Sequence, residues 1–199
     1  MTVLQLNTSL FGDSGQSSRL ADEFVSRLRQ QRPGQRVVRR DFAEEPVPHL
    51  TSERFQAALT PLPQRTHEQG MDAAIADKLV AELQEADTLV IGLPMYNFGV
   101  PSSLKAWFDH VARAGTTFRY TEQGPEGLMK DKQVYVLATR GGFYAGTGAD
   151  QQTPYVKQFL SFLGMDDVEF IYAEGLATGD ENRQQALEAA NARLAGLAA

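Results

Sequence analysis

The chain has 199 residues, is 42% hydrophobic and 22% charged, and carries a net charge of −6 with no cysteine. That length suits one domain, residues 1–199, with a core large enough to need no staples. The acidic balance excludes a nucleic-acid binder, which needs a basic stripe, and a protein drawn to anionic membrane; the missing thiols exclude disulfides, thiolate catalysis and Cys-ligated metals.

TVLQLN, Thr2 to Asn7, reads as a short strand. A helix follows from Gln16 to Gln31, with Leu20, Phe24 and Leu28 on one face of a 3.6-residue period, and Pro33-Gly34 stops it. RVVRRDF is a second, more polar strand suited to a sheet edge. Residues 43–66 carry Pro46, Pro48, Pro61 and Pro63, a long excursion holding one short helix from Thr51 to Leu59. A helix resumes near Gln69, with Met71, Ile75, Leu79 and Leu83 spaced by four as its apolar face. Thr88 to Leu93 is the most apolar strand, as a central parallel strand covered on both faces should be. Pro101 opens a helix at its first turn, with Leu104, Phe108 and Val111 on one side and Gly115 as its stop. TTFRYTEQGPEGL is a short hairpin or loop, and KQVYVLATRGG a fourth strong strand. A helix at Pro154–Leu163, the strand VEFIYA and a last helix from Glu181 to Leu197, carrying Leu187, Ala190, Leu194 and Leu197, complete the chain.

Strand and helix therefore alternate five times, which calls for a parallel sheet with helices on both faces. The expected class is α/β: a flavodoxin-like, doubly wound, five-stranded parallel sheet in the order 2-1-3-4-5. No stretch reaches the ~20 apolar residues of a membrane span. The opening MTVLQLNTSL has neither a basic n-region nor a signal-peptide core, so the expected location is the cytoplasm.

In such a sheet, ligands bind beyond the carboxyl ends of the strands where strand order reverses. Those ends read NTSLFGDSGQSS, LPMYNFGVPSS and ATRGGFYAGTG. The first lacks the lysine of a Walker A loop and the GxGxxG dinucleotide pattern. It offers Ser9, Ser17 and Ser18 hydroxyls, the Gln16 amide and the first-turn N–H groups of a helix, whose dipole favours an anion. Donor bonds to a charged group are worth ~1.5–3 kcal/mol each, so four or five can hold a phosphate monoester without a nearby cation. In the second loop Met95, Tyr96, Asn97 and Phe98 can face a flat heterocycle and read its edge. In the third, Gly141 and Gly142 let the backbone come close and donate N–H groups. A phosphate at one end and a planar, polar-edged ring at the other describe FMN.

The stretches MYNFGVPSSLKAWFDHVARAGTTFRYTEQGPEGL, TRGG, TPYVKQFLSFLGM and AEGL closely resemble the FMN-dependent NADH azoreductases of the NAD(P)H:quinone oxidoreductase group, over essentially the whole chain. The resemblance implies a homodimer holding one FMN per subunit near the interface. It implies phosphate contacts at Ser9, Gly15, Gln16 and Ser17, and ring contacts at Met95, Tyr96, Asn97, Phe98, Thr139, Arg140, Gly141 and Gly142. Family members often have Ser where Thr139 stands, and the hydroxyl is kept. NADH would reduce the flavin and leave; a quinone, or an azo compound over two rounds, would then take the electrons. The flavin carries that chemistry, so no residue is nominated as catalytic. Phe118, Tyr120 and Phe162 are candidates for the apolar walls of the substrate slot, some from the partner subunit. His49, His67 and His110 lack metal-ligand spacing, and no metal site is expected. Arg113, Arg119 and Arg140 read as solvated or paired, and the lack of a basic cluster favours NADH over NADPH.

Two rival readings share the topology. A flavodoxin-type electron carrier would leave the ring edge open to a protein partner, whereas the hairpin and the Pro-rich segment here suit a walled small-molecule slot. A phosphoacceptor receiver domain needs an acidic cluster after the first strand, and NTSLF has none.

Overall fold

The structure, a computed structural model, describes residues 1–197. Its centre is a parallel sheet of five strands: β1 (Thr2–Asn7), β2 (Arg36–Asp41), β3 (Thr88–Pro94), β6 (Gln133–Thr139) and β7 (Asp167–Ala173), ordered β2-β1-β3-β6-β7. β4 (Phe118–Thr121) and β5 (Gly124–Gly127) form a separate antiparallel hairpin. The helices are α1 (Gln16–Gln31), α2 (Ser52–Leu59), α3 (His67–Glu85), α4 (Ser102–Val111), α5 (Gln152–Phe162) and α6 (Asp180–Leu197). The expected order 2-1-3-4-5 is therefore the observed one, once the hairpin is set aside.

Alternation along the strands builds two cores. Leu4 and Leu6 of β1, Leu89, Ile91 and Leu93 of β3, and Val134 and Val136 of β6 point to one side. There they meet Leu79 and Leu83 of α3, Leu104, Trp107 and Phe108 of α4, and Leu160 of α5. Val3, Val90, Tyr135 and Leu137 point to the other side, against Leu20 and Phe24 of α1 and Ala190 and Leu194 of α6. The Phe24 and Tyr135 rings meet edge-on at 4.7 Å, a favoured aromatic geometry. β3 is buried at every residue, as a strand covered on both faces must be.

The structure corrects several boundaries. α3 starts at His67 because Thr66 and Gln69 form a reciprocal capping box. Its buried stripe is Ala73, Ala76, Leu79, Val80 and Leu83, and Met71, expected on that face, is 63% exposed. Pro101 stands at the N-cap of α4 rather than inside its first turn, and the helix ends at Val111 instead of near Gly115. The Thr117 hydroxyl bonds the Val111 carbonyl at 2.6 Å and receives the Arg113 amide at 2.8 Å, drawing the chain out of the helix. α5 begins two residues before Pro154, and Gln152 becomes its first residue. Among the described residues, no helix is long and apolar enough to cross a membrane.

Candidate functional site

A cleft of about 200 Å³ opens at the carboxyl ends of β1, β3 and β6, the reversal point of the strand order. It is lined by Ser9, Gly15, Gln16 and Ser17 from the first loop, Met95 and Tyr96 from the second, and Thr139, Arg140 and Gly141 from the third. Phe11, Pro94 and Leu176 complete the lining. No carboxylate, histidine or lysine is among these residues.

The first loop is packed against β3 and against itself. A Cβ on Gly92 of β3 would lie 2.8 Å from the Ser17 carbonyl oxygen, so only glycine lets α1 start this close to the sheet. A Cβ on Gly15 would lie 2.2 Å from the Ser9 hydroxyl oxygen. The Thr8 hydroxyl donates to the Gly92 carbonyl at 2.7 Å. The Leu10 amide donates to the Tyr96 hydroxyl at 3.2 Å, tying the first loop to the second.

This packing leaves the start of α1 unsatisfied. Gly15 stands at its N-cap with no capping side chain, and no acidic residue lies in its first turn. The Ser17 and Ser18 side chains are buried, and both hydroxyls lack a hydrogen-bond partner among the described residues. Buried polar groups are ordinarily paired, and an unpaired one costs ~1–3 kcal/mol. Orphan first-turn N–H groups, the helix dipole and a buried hydroxyl facing a cleft make an anion cradle built from neutral donors. FMN fits here: the cradle suits its phosphate, and the uncharged remainder of the cleft suits its ring.

In the second loop, Tyr96 and Gly99 exchange backbone hydrogen bonds of 3.2 and 3.0 Å across Asn97 and Phe98. Both central residues take positive φ, 50° and 65°. Asn tolerates that region, but Phe does not, at a cost of roughly 1–2 kcal/mol. Both side chains lie exposed at the rim of the cleft rather than in its lining. Gln152 holds this turn from α5, donating through its Nε2 to the carbonyls of Pro94 and Gly99, each at 2.9 Å.

In the third loop the carbonyls of Arg140, Gly141 and Gly142 accept from Leu176, Ala177 and Gly175. The amides of Gly141 and Gly142 donate to no acceptor among the described residues and remain for a ligand edge. Arg140 differs from a simple ring contact. Its side chain has no exposed surface and is bidentate to Asp150 at 3.0 and 3.1 Å, with further bonds to Glu174 at 3.1 Å and the Thr153 hydroxyl at 2.8 Å. Only the strand-end backbone of Arg140 is left to border the cleft. Burial alone would raise the Asp150 carboxyl, but bonds from Thr153 and Arg140 hold it below its ordinary value. Glu174 also accepts the amides of Tyr144 and Ala145, each at 2.9 Å, fixing the loop that follows Gly142.

Phe118, Tyr120 and Phe162 lie elsewhere in the subunit. Phe118 is buried, 4.4 Å from the Phe162 ring and 5.5 Å from that of Tyr120, which is 76% exposed. The hairpin that carries Phe118 and Tyr120 sits beside Thr88, Gln133 and Asp167, at the amino ends of β3, β6 and β7, across the sheet from the cleft, and Phe162 ends α5. Of the other arginines the sequence singled out, Arg113 is paired with Asp77 at 2.6 Å and Arg119 with Glu126 at 2.7 Å. The residues that sequence reading missed, Gln152, Asp150 and Glu174, act across sequence separations of 10 to 58. No local pattern announces Gln152 and Asp150, while Glu174 stands within AEGL. Leu176 stands within AEGL, where the family resemblance is the available signal.

A parallel sheet whose reversal point holds an uncharged cleft over an uncapped helix start defines a flavodoxin-type nucleotide site. The chain belongs to the family described as Flavodoxin-like fold, which matches residues 1–197. It is 56% identical over 182 residues, 92% of each chain, to the FMN-dependent NADH:quinone oxidoreductase of Cellvibrio japonicus. It is 51% identical over the full length of both chains to the protein of that name from Dechloromonas aromatica. Among solved structures it resembles an azoreductase from Bacillus anthracis, with a TM-score of 0.90 and 27% identity over 100% of this chain and 98% of the other. A Bacillus anthracis FMN-dependent NADH-azoreductase in complex with FMN superimposes with a TM-score of 0.87 and 26% identity, over 100% and 99% of the two chains.

Proposed function

We propose that the protein is an FMN-dependent NADH:quinone oxidoreductase that also cleaves aromatic azo compounds to amines. The observation that carries this is the buried, unpaired Ser17 hydroxyl at the uncapped start of α1, on a residue that lines the cleft. The relatives at 51–56% identity bear the first of these activities in their names, and the structural neighbours bear the second.

Ser9, Gly15, Gln16 and Ser17 hold the phosphate of FMN. Met95 to Phe98 and the backbone of Thr139 to Gly142 hold its ring. Bound there, FMN supplies two-electron redox chemistry, accepting hydride from NADH and releasing it to a quinone or, over two rounds, to an azo bond. The cleft lining contributes neither carboxylate nor imidazole, so the protein's part is to bind, orient and exclude water. The free amides of Gly141 and Gly142 and the Asn97 side chain are the donors that hydrogen-bond the ring edge.

The active unit is a cytoplasmic homodimer. Tyr120, three-quarters exposed on a hairpin remote from its own cleft, suits delivery to the cleft of a second copy, with Phe118 and Phe162 packed behind it. The test is spectroscopic. Protein incubated with FMN and desalted should stay yellow, bleach with NADH under anaerobic conditions, and regain colour with benzoquinone or methyl red. Colourless protein refutes the FMN site; yellow protein that NADH does not bleach is an electron carrier instead.

A further inference from the structure

The segment after Gly142 is more ordered than a loop needs to be, and that order converges on one side chain. The Tyr144 amide is held by Glu174 at 2.9 Å, and Glu174 is itself anchored by the buried Arg140. The Tyr144 ring folds back over Gly142: a Cβ there would lie 3.0 Å from the phenol oxygen. Gly142 adjoins Gly141, which lines the cleft. The same ring meets Phe98 edge-on, with centroids 5.8 Å apart and planes at 87°. Phe98 is 55% exposed and held at a positive φ that a phenylalanine adopts only under constraint. Two loops thus bring one aromatic ring each to the same edge of the cleft. Among the described residues, the Tyr144 hydroxyl has no hydrogen-bond partner, and it lies over Gly142, next to the cleft-lining Gly141.

We propose that Tyr144 is a specificity-determining residue for the electron acceptor. Its ring, braced on Phe98, forms an aromatic jaw that admits flat molecules. Its free phenol donates a hydrogen bond to a carbonyl oxygen on the ring that enters, favouring quinones over acceptors with no such oxygen. The inference rests on the FMN-dependent reading above and adds the residue that sorts acceptors within it. Tyr144, like Phe98, stands at the rim and outside the cleft lining, where a visiting molecule can meet it.

The test compares wild type with Tyr144→Phe and Tyr144→Ala, each loaded with FMN. FMN dissociation constants come from fluorescence quenching, and KM and kcat from steady-state assays with NADH and two acceptors. These are 1,4-benzoquinone and 4-dimethylaminoazobenzene, the second with neither a carbonyl nor a carboxyl oxygen. Loss of one neutral hydrogen bond corresponds to roughly 3- to 10-fold. Tyr144→Phe should raise the benzoquinone KM by that factor, several times more than the 4-dimethylaminoazobenzene KM, while FMN affinity stays within about twofold. Tyr144→Ala should raise both acceptor KM values, because the jaw itself is lost. Equal quinone KM values for wild type and Tyr144→Phe overturn the proposal, as does a loss of FMN affinity that accounts for the kinetic change. Failure of the wild-type protein to bind FMN at all overturns the functional reading, and this inference with it.

Discussion

Replacing Ser17 by alanine separates the cost of a waiting ligand site from its benefit. In the ligand-free protein the Ser17 hydroxyl is buried and unpaired, so deleting it removes a desolvation cost of ~1–3 kcal/mol rather than a bond. If, as proposed, the same hydroxyl donates to the phosphate dianion of FMN, losing that bond costs about 1.5–3 kcal/mol. FMN should therefore bind roughly 10- to 160-fold more weakly to Ser17→Ala, while the ligand-free protein melts at the same temperature or higher. At a fixed saturating FMN concentration, the ligand-induced rise in Tm should shrink by about 3–12 °C, given about 2–4 °C per kcal/mol for a chain of this size. Flavin fluorescence quenching and paired thermal melts with and without FMN measure both quantities. An unchanged dissociation constant would place the phosphate elsewhere. A ligand-free variant that melts well below wild type would mean that Ser17 has a protein partner and that the cradle argument is wrong.

Three other outcomes follow from the geometry. Gly15→Ala should weaken FMN binding and lower stability by about 1–3 kcal/mol. Its φ of −67° suits alanine, so the effect comes chiefly from the overlap with Ser9, and adding Ser9→Gly should recover stability but not FMN affinity, because it also removes a phosphate donor. Phe98→Gly should leave stability within about 1 kcal/mol of wild type, because relief of left-handed strain offsets the extra chain entropy. A larger loss by urea denaturation would show that the turn at Asn97-Phe98 is not strained. His110 is buried, its Nε2 donates to the Pro48 carbonyl at 2.9 Å, and its Nδ1 has no partner. Burial pushes its pKa down; Arg54 and Arg113 add to the shift, while the Pro48 bond and Asp109 oppose it. The unfolded chain takes up a proton near pH 6.5 and the folded chain resists, so this group's contribution to stability is full above that pH and falls as pH drops towards the folded value. Urea midpoints measured from pH 8 to pH 5.5 should fall less steeply for His110→Gln, and parallel curves would refute the assignment.

How far the sequence carries depends on the range of the interaction that decides each feature. β3 was legible because a strand covered on both faces must be apolar throughout, and all its residues are buried. The edge strand β2 was legible from its arginines, and α1 from the period of Leu20, Phe24 and Leu28. The loop composition placed Ser17 and Gly141 at one cleft once the strand order was known, because that order alone selects which loops converge. Tertiary contact overruled local pattern where packing chose among apolar residues: Met71 falls outside the buried stripe of α3, where alanines at 73 and 76 sit instead. It also decided Arg140. The sequence reads it as solvated or paired, and only the fold supplies the pairing, from Asp150 and Glu174, 10 and 34 positions away. Periodicity and turn chemistry are written in neighbouring residues and set the elements and their order. The pairing of buried charges and the meeting of Tyr144 with Phe98 depend on distances that exist only after the sheet has brought remote loops together.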